Sequence, residues 1–175
     1  MGVGTMSREG YRKIRSDKKR DVKPTINLEL KDAIYRLSYV SNTPVKDLIE
    51  WLVLDAIRNQ KILTRLVGYF KRDLVVDGTL YVGNHEREQF SKLVPGKTEK
   101  VTTRFTQYDY ARIYDFSYTL EVSPSRAVAI LLEFAMSDIP TVNKCLKSFI
   151  KHELTDNQVK EINKLNKYVL KKAHH

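Results

Sequence analysis

The sequence contains one pattern twice, and the two copies stand 79 residues apart. The hexapeptide IYRLSY at residues 34–39 matches IYDFSY at residues 113–118, which sets the offset (113 − 34 = 79). At that offset Val22 falls on Val101 and Ile26 on Phe105, without a gap. Apolar residues also meet at Leu48 and Ala127, Ile49 and Val128, Leu52 and Leu131, Val53 and Leu132, and Ala56 and Ala135. Agreement over this length indicates a duplication, so the chain is predicted to hold two copies of one structural unit.

Each copy changes its hydrophobic period along its length. In the second copy Val101, Thr103 and Phe105 lie on one side of an extended chain, which is typical of a strand with one buried face. Apolar residues then recur at helical spacing from Ile113 onwards. Ser123-Pro124 supplies an N-cap followed by proline at the first helical position, where a second helix is expected to begin. The pattern therefore predicts a strand, a helix, a turn and a second helix.

The first copy begins with a strand that contains a proline. Pro24 cannot donate to a ladder, so a strand over Val22–Ile26 must be short, or its missing N–H must point away from the partner. A strand over residues 26–30 alternates more cleanly, but it would shorten the first helix by a turn and break the 79-residue match. We therefore favour Val22–Ile26, with Asn27 as the cap of the following helix. That helix carries Leu30, Ile34, Leu37 and Ser41 on one face.

This strand–helix–helix pattern resembles the ribbon-helix-helix family of DNA-binding proteins, the MetJ/Arc-like repressors. The resemblance implies a mainly α fold with a short antiparallel β ribbon, built here from tandem ribbon-helix-helix units plus extra helices. Two short strands are not stable as an isolated ribbon, so one strand from each unit is expected to pair over a shared helical core. The resemblance also implies that this ribbon enters the major groove of double-stranded DNA.

Composition and local signals divide the chain into five parts. Residues 1–20 are expected to form a basic flexible arm, 21–74 the first unit with an extra helix, and 75–99 a hairpin or linker. Residues 100–154 are expected to form the second unit with an extra helix, and 155–175 a C-terminal helix and tail. The extra helices are predicted from Ile62 to about Leu74 and from Val142 to Leu154. Asp77-Gly78 predicts a hairpin, and Thr155 with Gln158 predicts a capping box for the last helix.

Charge and cysteine content limit the classes of protein that this chain can belong to. It has 175 residues, 31 Lys and Arg against 21 Asp and Glu, and a net charge of +10. That excess favours a polyanionic partner, of which nucleic acid is the commonest. Cys145 is the single cysteine, which excludes disulfides within the chain and zinc sites built from several cysteines. No apolar run approaches the length of a membrane span, and no signal-peptide core is present, so we expect a cytoplasmic protein without a membrane partner.

The polar side of each strand supplies the candidate base-reading residues. With Val101, Thr103 and Phe105 turned inward, the opposite side holds Thr102, Arg104 and Thr106; in the first unit it holds Lys23, Thr25 and Asn27. Arginine and lysine suit guanine O6 and N7, asparagine suits adenine, and threonine offers a hydroxyl and a methyl group. The alternative interpretation is an ordinary solvated strand face. The basic balance of the chain favours base reading.

The start of each second helix supplies the candidate phosphate-binding residues. Backbone N–H groups at a helix N-terminus favour an anion, and the side chains there are Thr43, Lys46, Ser123, Ser125 and Arg126. Thr43-Pro44 repeats the cap-plus-proline start one residue earlier than Ser123-Pro124 does under the offset. Helix capping alone explains these residues about equally well.

The predicted function is sequence-specific binding of double-stranded DNA by a transcriptional regulator of bacterial, phage or plasmid type. The alternatives are a plasmid partition or conjugative relaxosome accessory protein, and an antitoxin-like protein-interaction module. We expect no enzyme activity, no cofactor and no metal, because His85, His152 and Cys145 lack motif partners.

The two units could form a pseudo-dimer within one chain or a homodimer with a second chain. The connection from Arg58 to Lys100 has 43 residues (100 − 58 + 1), which is ample for pairing within the chain. It also has the signals of a helix and a hairpin, as expected of separate modules. A homotypic ribbon would contain Pro24 twice and a mixed ribbon only once, so we favour pairing within the chain.

Overall fold

The computed structural model of the protein describes residues 18–90 and 96–174. It is mainly helical, at 61%, with short antiparallel strand pairs, as the sequence predicts. The strands are β1 (Arg20–Val22), β2 (Thr25–Asn27), β3 (Leu74–Val76), β4 (Thr79–Tyr81), β5 (Thr98–Lys100) and β6 (Thr103–Phe105). The helices are α1 (Leu28–Ser41), α2 (Val45–Ala56), α3 (Gln60–Leu66), α4 (Gln107–Leu120), α5 (Pro124–Ser137), α6 (Ile139–Phe149) and α7 (Asp156–Ala173).

One antiparallel ribbon joins the two units within a single chain. β1 pairs with β6, where Arg20 lies opposite Phe105, and β2 pairs with β5, where Thr25 lies opposite Lys100. Both ladders share one register, and we call residues 20–27 and 98–105 the ribbon. The ladder is interrupted at Pro24, whose carbonyl accepts the Val101 N–H at 3.1 Å but which has no N–H to return. The pairing predicted within the chain is thus the one that the fold adopts.

The ribbon register agrees with the sequence repeat. Continuing the register from Val22 opposite Thr103 places Lys23 opposite Thr102, and these two residues are themselves 79 positions apart (102 − 23). A pseudo-twofold axis therefore passes through the Lys23–Thr102 pair. Each strand residue on one side of this axis has its repeat equivalent on the other side.

Helix boundaries repeat at the same offset. α1 and α4 begin at Leu28 and Gln107 and end at Ser41 and Leu120. Each is followed by a C-cap residue in the left-handed conformation, Asn42 at φ 50° and Glu121 at φ 55°. α3 and α6 also begin at equivalent positions, each after a side-chain cap supplied by Asn59 or Asp138. The duplication therefore continues beyond the two predicted helices into the third.

Both units contribute to one hydrophobic core. α2 packs against α5, α1 against α2, and α4 against α5, and the buried apolar residues of both units form one cluster. Phe105 and Phe116 from the second unit and Ile34 and Leu52 from the first are fully buried there. Burial of each such side chain contributes about 1.5–3 kcal/mol of hydrophobic stabilisation. The units are therefore not the two separate modules that the structured connection suggested.

Both predicted extra helices have different bounds in the structure. α3 ends at Leu66 and is followed only by a 3-10 turn over Val67–Tyr69, and Leu74 is the first residue of β3 rather than the end of the helix. α6 begins three residues before Val142, since Asp138 caps it, and ends at Phe149 rather than Leu154. The predicted hairpin and the predicted capping box of α7 are both present. The hairpin turn has positive φ at Asp77 and Gly78, as a type I′ turn requires.

The end of the predicted basic arm belongs to the folded structure. Arg20 is the first residue of β1, and Lys19 pairs with Glu50 at 2.7 Å. The Lys18 carbonyl accepts a hydrogen bond from Gln107 Nε2 at 3.2 Å. Residues 1–17, which make up most of the predicted arm, lie outside the described residues. Within the described ranges, no helix is long and apolar enough to span a bilayer.

Candidate nucleic-acid interface

The ribbon has one face in the core and one face in solvent. Val22, Thr103 and Phe105 are buried, whereas Lys23, Thr102 and Arg104 are exposed. This is the division predicted from the alternation of the second strand. Thr103 is the one polar residue among these three buried side chains, and its hydroxyl donates to the Lys46 carbonyl at 3.1 Å.

Pairing brings two further charged residues to the outward face that sequence reasoning missed. Asp21 lies opposite Arg104, and Lys100 lies opposite Thr25. Arg104 Nε donates to Asp21 Oδ1 at 2.7 Å, and the two side chains are 60% and 51% exposed. Every second residue of a strand lies on the same face, so counting back two residues from Lys23 and Thr102 would have identified Asp21 and Lys100. The outward face therefore carries three cations, Lys23, Lys100 and Arg104, and one carboxylate.

Asn27 and Thr106 stand at the ends of the ribbon as helix caps. Asn27 Oδ1 accepts the Leu30 N–H at 2.7 Å, and Thr106 Oγ1 accepts the Asp109 N–H at 3.1 Å. The Thr106 hydroxyl also donates to Asp109 Oδ2 at 2.6 Å. Both side chains are only half-buried. Capping uses the Thr106 hydroxyl as donor and acceptor but uses only the oxygen of the Asn27 amide. The amide nitrogen of Asn27 therefore remains as a donor.

The second helix of each unit starts beside the strand of the other unit. α2 packs on β6 and α5 packs on β2, and the Lys46–Thr103 hydrogen bond fixes the position of α2 on β6. On the other side, Arg126 lines a small crevice together with Thr25 and Asn27. Both helix N-termini thus flank the ribbon, as the pseudo-twofold axis requires.

The two helix starts differ in their capping. Ser123 Oγ accepts the Arg126 N–H at 3.2 Å, as predicted. The predicted cap at Thr43 is wrong. Pro44 occupies the N-cap position without a side-chain cap bond, and the Thr43 hydroxyl donates instead to the Ser41 carbonyl at 3.1 Å. Pro44 matches Ser123 at the 79-residue offset, so the helices start in register and only the capping oxygen is missing from α2.

The remaining predicted phosphate-binding residues lie in the first turns of these helices. Lys46 is exposed, and Ser125 and Arg126 are half-buried. The Arg126 guanidinium lies 6.0 Å from the ring centroid of Phe90. Nearby, Arg20 stacks 4.2 Å from the ring centroid of Tyr110. Cationic side chains therefore surround the ribbon at its edges as well as on its outward face.

The described residues contain no group of three His, Cys, Asp or Glu side chains that could hold a metal ion. His85 Nδ1 lies 3.8 Å from Glu121 Oε1 on the surface. Burial raises the pKa of the Cys145 thiol to about 12, so this thiol is protonated at neutral pH and is a poor nucleophile.

Comparison of the chain with protein-family models, curated proteins and solved structures found no match. The resemblance to the ribbon-helix-helix family therefore stays a prediction.

Proposed function

We propose that this protein binds double-stranded DNA sequence-specifically, with the ribbon in the major groove, and acts as a transcriptional regulator. The observation that carries the proposal is the polar, cationic outward face of a ribbon whose other face is part of the core. Three cations against one carboxylate on one short face favour a polyanionic partner.

The chemistry of this face suits base edges. A two-stranded ribbon is narrow enough to enter the major groove, where every base pair presents a distinct pattern of donors and acceptors. Arg104 and Lys23 can donate to guanine, and Thr102 and Thr25 can contact thymine methyl groups. Asp21 can accept from the cytosine amino group, or it can hold Arg104 in position for a guanine.

The flanking helix starts suit the phosphate backbone. Backbone N–H groups at the start of α2 and α5 favour an anion, and Lys46, Ser123, Ser125 and Arg126 add charge and hydroxyl groups there. Contacts of this kind set the orientation of a protein on the duplex, while base contacts set its specificity. Thr43 is a weaker candidate than the sequence suggested, because its hydroxyl is directed to Ser41.

Selection of bound duplexes from a random pool, followed by affinity measurements, tests the proposal. Arg104→Ala should weaken binding to the selected duplex by about 1–3 kcal/mol and relax specificity at one base pair. Lys23→Ala and Thr102→Ala should do the same to a smaller extent. On a scrambled duplex the effect of Arg104→Ala should be much smaller, because the guanidinium recognises a base that this duplex does not present in the right place.

Arg58→Ala is the matched control, since Arg58 is exposed and follows the end of α2 that is remote from the ribbon. It should leave the affinity for the selected duplex unchanged. A pool in which no sequence is enriched would contradict sequence-specific binding. Equal effects of Arg104→Ala on selected and scrambled duplexes would mean that Arg104 binds a phosphate.

A further inference from the structure

A groove runs between α1 and α7, away from the outward face of the ribbon. Its volume is about 990 Å³, and it contains none of the candidate base-reading or phosphate-binding residues. One end lies at Lys31, which pairs with Glu99 of β5. The other end lies at Tyr39, whose carbonyl accepts a hydrogen bond from Gln158 of α7 at 3.3 Å. We call it the α1–α7 groove.

One wall of the α1–α7 groove is a row of lysines. Lys160, Lys164 and Lys167 line it from α7, and their spacing of four and three residues places them on one face of the helix. Consecutive lysines therefore rise by about 6 Å and 4.5 Å along the helix axis. This row offers a series of charges to an extended polyanion.

Two carboxylates line the groove, Asp32 and Glu161, against five cations: Lys31, Arg36, Lys160, Lys164 and Lys167. Glu161 accepts hydrogen bonds from Arg36 Nε at 3.0 Å and from Lys164 Nζ at 2.6 Å, so two cations share one carboxylate. The hydrogen bond from Lys164 holds the pKa of Glu161 below its ordinary value, so Glu161 stays ionised at neutral pH. Within the described part of the chain, Lys160 and Lys167 form no ion pair. The groove therefore keeps an excess of positive charge.

The other wall carries two tyrosines one helical turn apart. Tyr35 and Tyr39 of α1 line the groove and are 48% and 51% exposed. Their separation along the helix is about 6 Å, whereas bases stacked in a duplex are about 3.4 Å apart. Two rings at this spacing suit bases of an extended strand better than bases of a duplex.

The second unit provides an internal comparison. Tyr114 and Tyr118 occupy the equivalent positions on α4 and are equally exposed, at 54% each. Asp115 stands where the first unit has Arg36, and the β3–β4 hairpin, instead of the lysine-bearing α7, packs on α4. The aromatic pair is therefore common to both units, whereas the row of lysines belongs to the first unit alone. Beside the tyrosines of the second unit, the cation Arg72 lies 4.3 Å from the Tyr118 ring centroid and pairs with Glu121.

We propose that the α1–α7 groove binds a segment of single-stranded nucleic acid. The backbone phosphates lie along Lys160, Lys164 and Lys167, and two bases stack on Tyr35 and Tyr39. A positively charged groove lined by aromatic rings is the usual design for such binding, and it tolerates different sequences. The activity is separate from duplex recognition by the ribbon.

Fluorescence anisotropy with the full chain and a labelled oligothymidylate of twelve nucleotides tests the proposal. Lys160→Gln/Lys164→Gln/Lys167→Gln should weaken binding about tenfold or more. It should also reduce the slope of log K against log salt by about 2, because each lysine–phosphate pair contributes about 0.7 to that slope on a single strand. Tyr35→Ala/Tyr39→Ala should likewise weaken binding about tenfold or more. Tyr35→Phe/Tyr39→Phe should retain affinity, because phenylalanine stacks equally well.

Three matched controls separate this site from its alternatives. Tyr114→Ala/Tyr118→Ala should leave oligothymidylate binding unchanged, because the second unit lacks the lysine row. Arg104→Ala should likewise leave it unchanged, so that failure of the ribbon proposal does not affect this test. Polyglutamate should compete poorly at equal charge, because it has no bases to stack.

Wild-type affinity of the lysine variant would overturn the proposal, as would loss of binding in Arg104→Ala. If the Tyr35→Ala/Tyr39→Ala variant bound normally and polyglutamate competed fully, the groove would be a surface for acidic proteins, and the proposal would be wrong.

Discussion

At the scale of single residues, charge distinguishes the two halves of the ribbon. The Asp21–Arg104 pair on one side of the pseudo-twofold axis corresponds to Lys100 and Thr25 on the other. The first pair holds a 2.7 Å ion pair, and the second has a single positive charge. An exposed ion pair contributes little stability, about 0–1 kcal/mol. The ion pair matters more for recognition than for stability, because Asp21 restricts the orientation of the Arg104 guanidinium.

The half-buried carboxyl group of Glu133 affects the stability of the fold. Burial raises the pKa of the Glu133 carboxyl above its ordinary value of 4.5, with Lys172 and Arg126 opposing part of the effect. The native state therefore binds the proton more tightly than the unfolded chain does. Stability should fall as the pH rises through the folded-state pKa, and this cost is absent below the unfolded value.

Glu133→Gln is expected to raise the melting temperature at pH 7, because glutamine has no charge to desolvate. The difference from the wild type should shrink as the pH falls towards 4, where Glu133 is itself protonated. Thermal denaturation at a series of pH values measures this, with the exposed Glu88→Gln as the control. A difference that does not depend on pH would contradict the assignment.

At the scale of helices and strands, the two units have the same plan with different local chemistry. Their first helices start and end at positions 79 residues apart. Their third helices also start 79 residues apart. The elements packed on the first helices nevertheless differ: α7 lies on α1 and the β3–β4 hairpin on α4. The second helices also start in register, but only α5 has a side-chain cap.

Ser123→Ala should lower the free energy of unfolding by about 1 kcal/mol, the typical effect of removing an N-cap hydroxyl. Thr43→Ala should cost less than half as much, because Thr43 does not cap α2. Chemical denaturation of both variants measures the difference. Equal effects of the two substitutions would indicate that Thr43 stabilises the start of α2 in solution.

At the scale of the whole molecule, one chain forms one complete ribbon. Both strands, both flanking helix starts and the shared core come from a single polypeptide. The residues at equivalent ribbon positions differ: Asp21 and Lys100, Lys23 and Thr102, Thr25 and Arg104. If the ribbon reads DNA as we propose, its two halves read different bases, so the binding site should not be palindromic.

A single chain is therefore expected to bind one asymmetric duplex site with full affinity. Light scattering of the complex at low protein concentration should give one chain per single-site duplex. Replacing one half of the selected site with an inverted copy of the other half makes the site palindromic. Each base pair that this changes should weaken binding by roughly 1–3 kcal/mol, as a mismatched base pair does. An obligate dimer that protects two separated half-sites would overturn this expectation.

Local patterns in the sequence were enough to predict the repeat, the first two helices of each unit, the β3–β4 hairpin and the inward and outward sides of the second strand. These features depend on local chemistry: the hydrophobic period, side-chain caps such as Asn27 and Ser123, and the positive φ required at Asp77-Gly78. Sequence reasoning went wrong where two local signals competed, as at Thr43-Pro44, where the threonine could cap the helix or bond to Ser41.

The residues that meet across the ribbon and across the helices could be identified only from the folded chain. Strand pairing within the chain and pairing with a second chain use the same strands, so the sequence could favour one but not exclude the other. The Asp21–Arg104 ion pair and the α1–α7 groove join residues that are 83 (104 − 21) and up to 136 (167 − 31) positions apart. Such contacts depend on how the shared core orients its helices, and no local pattern specifies that orientation.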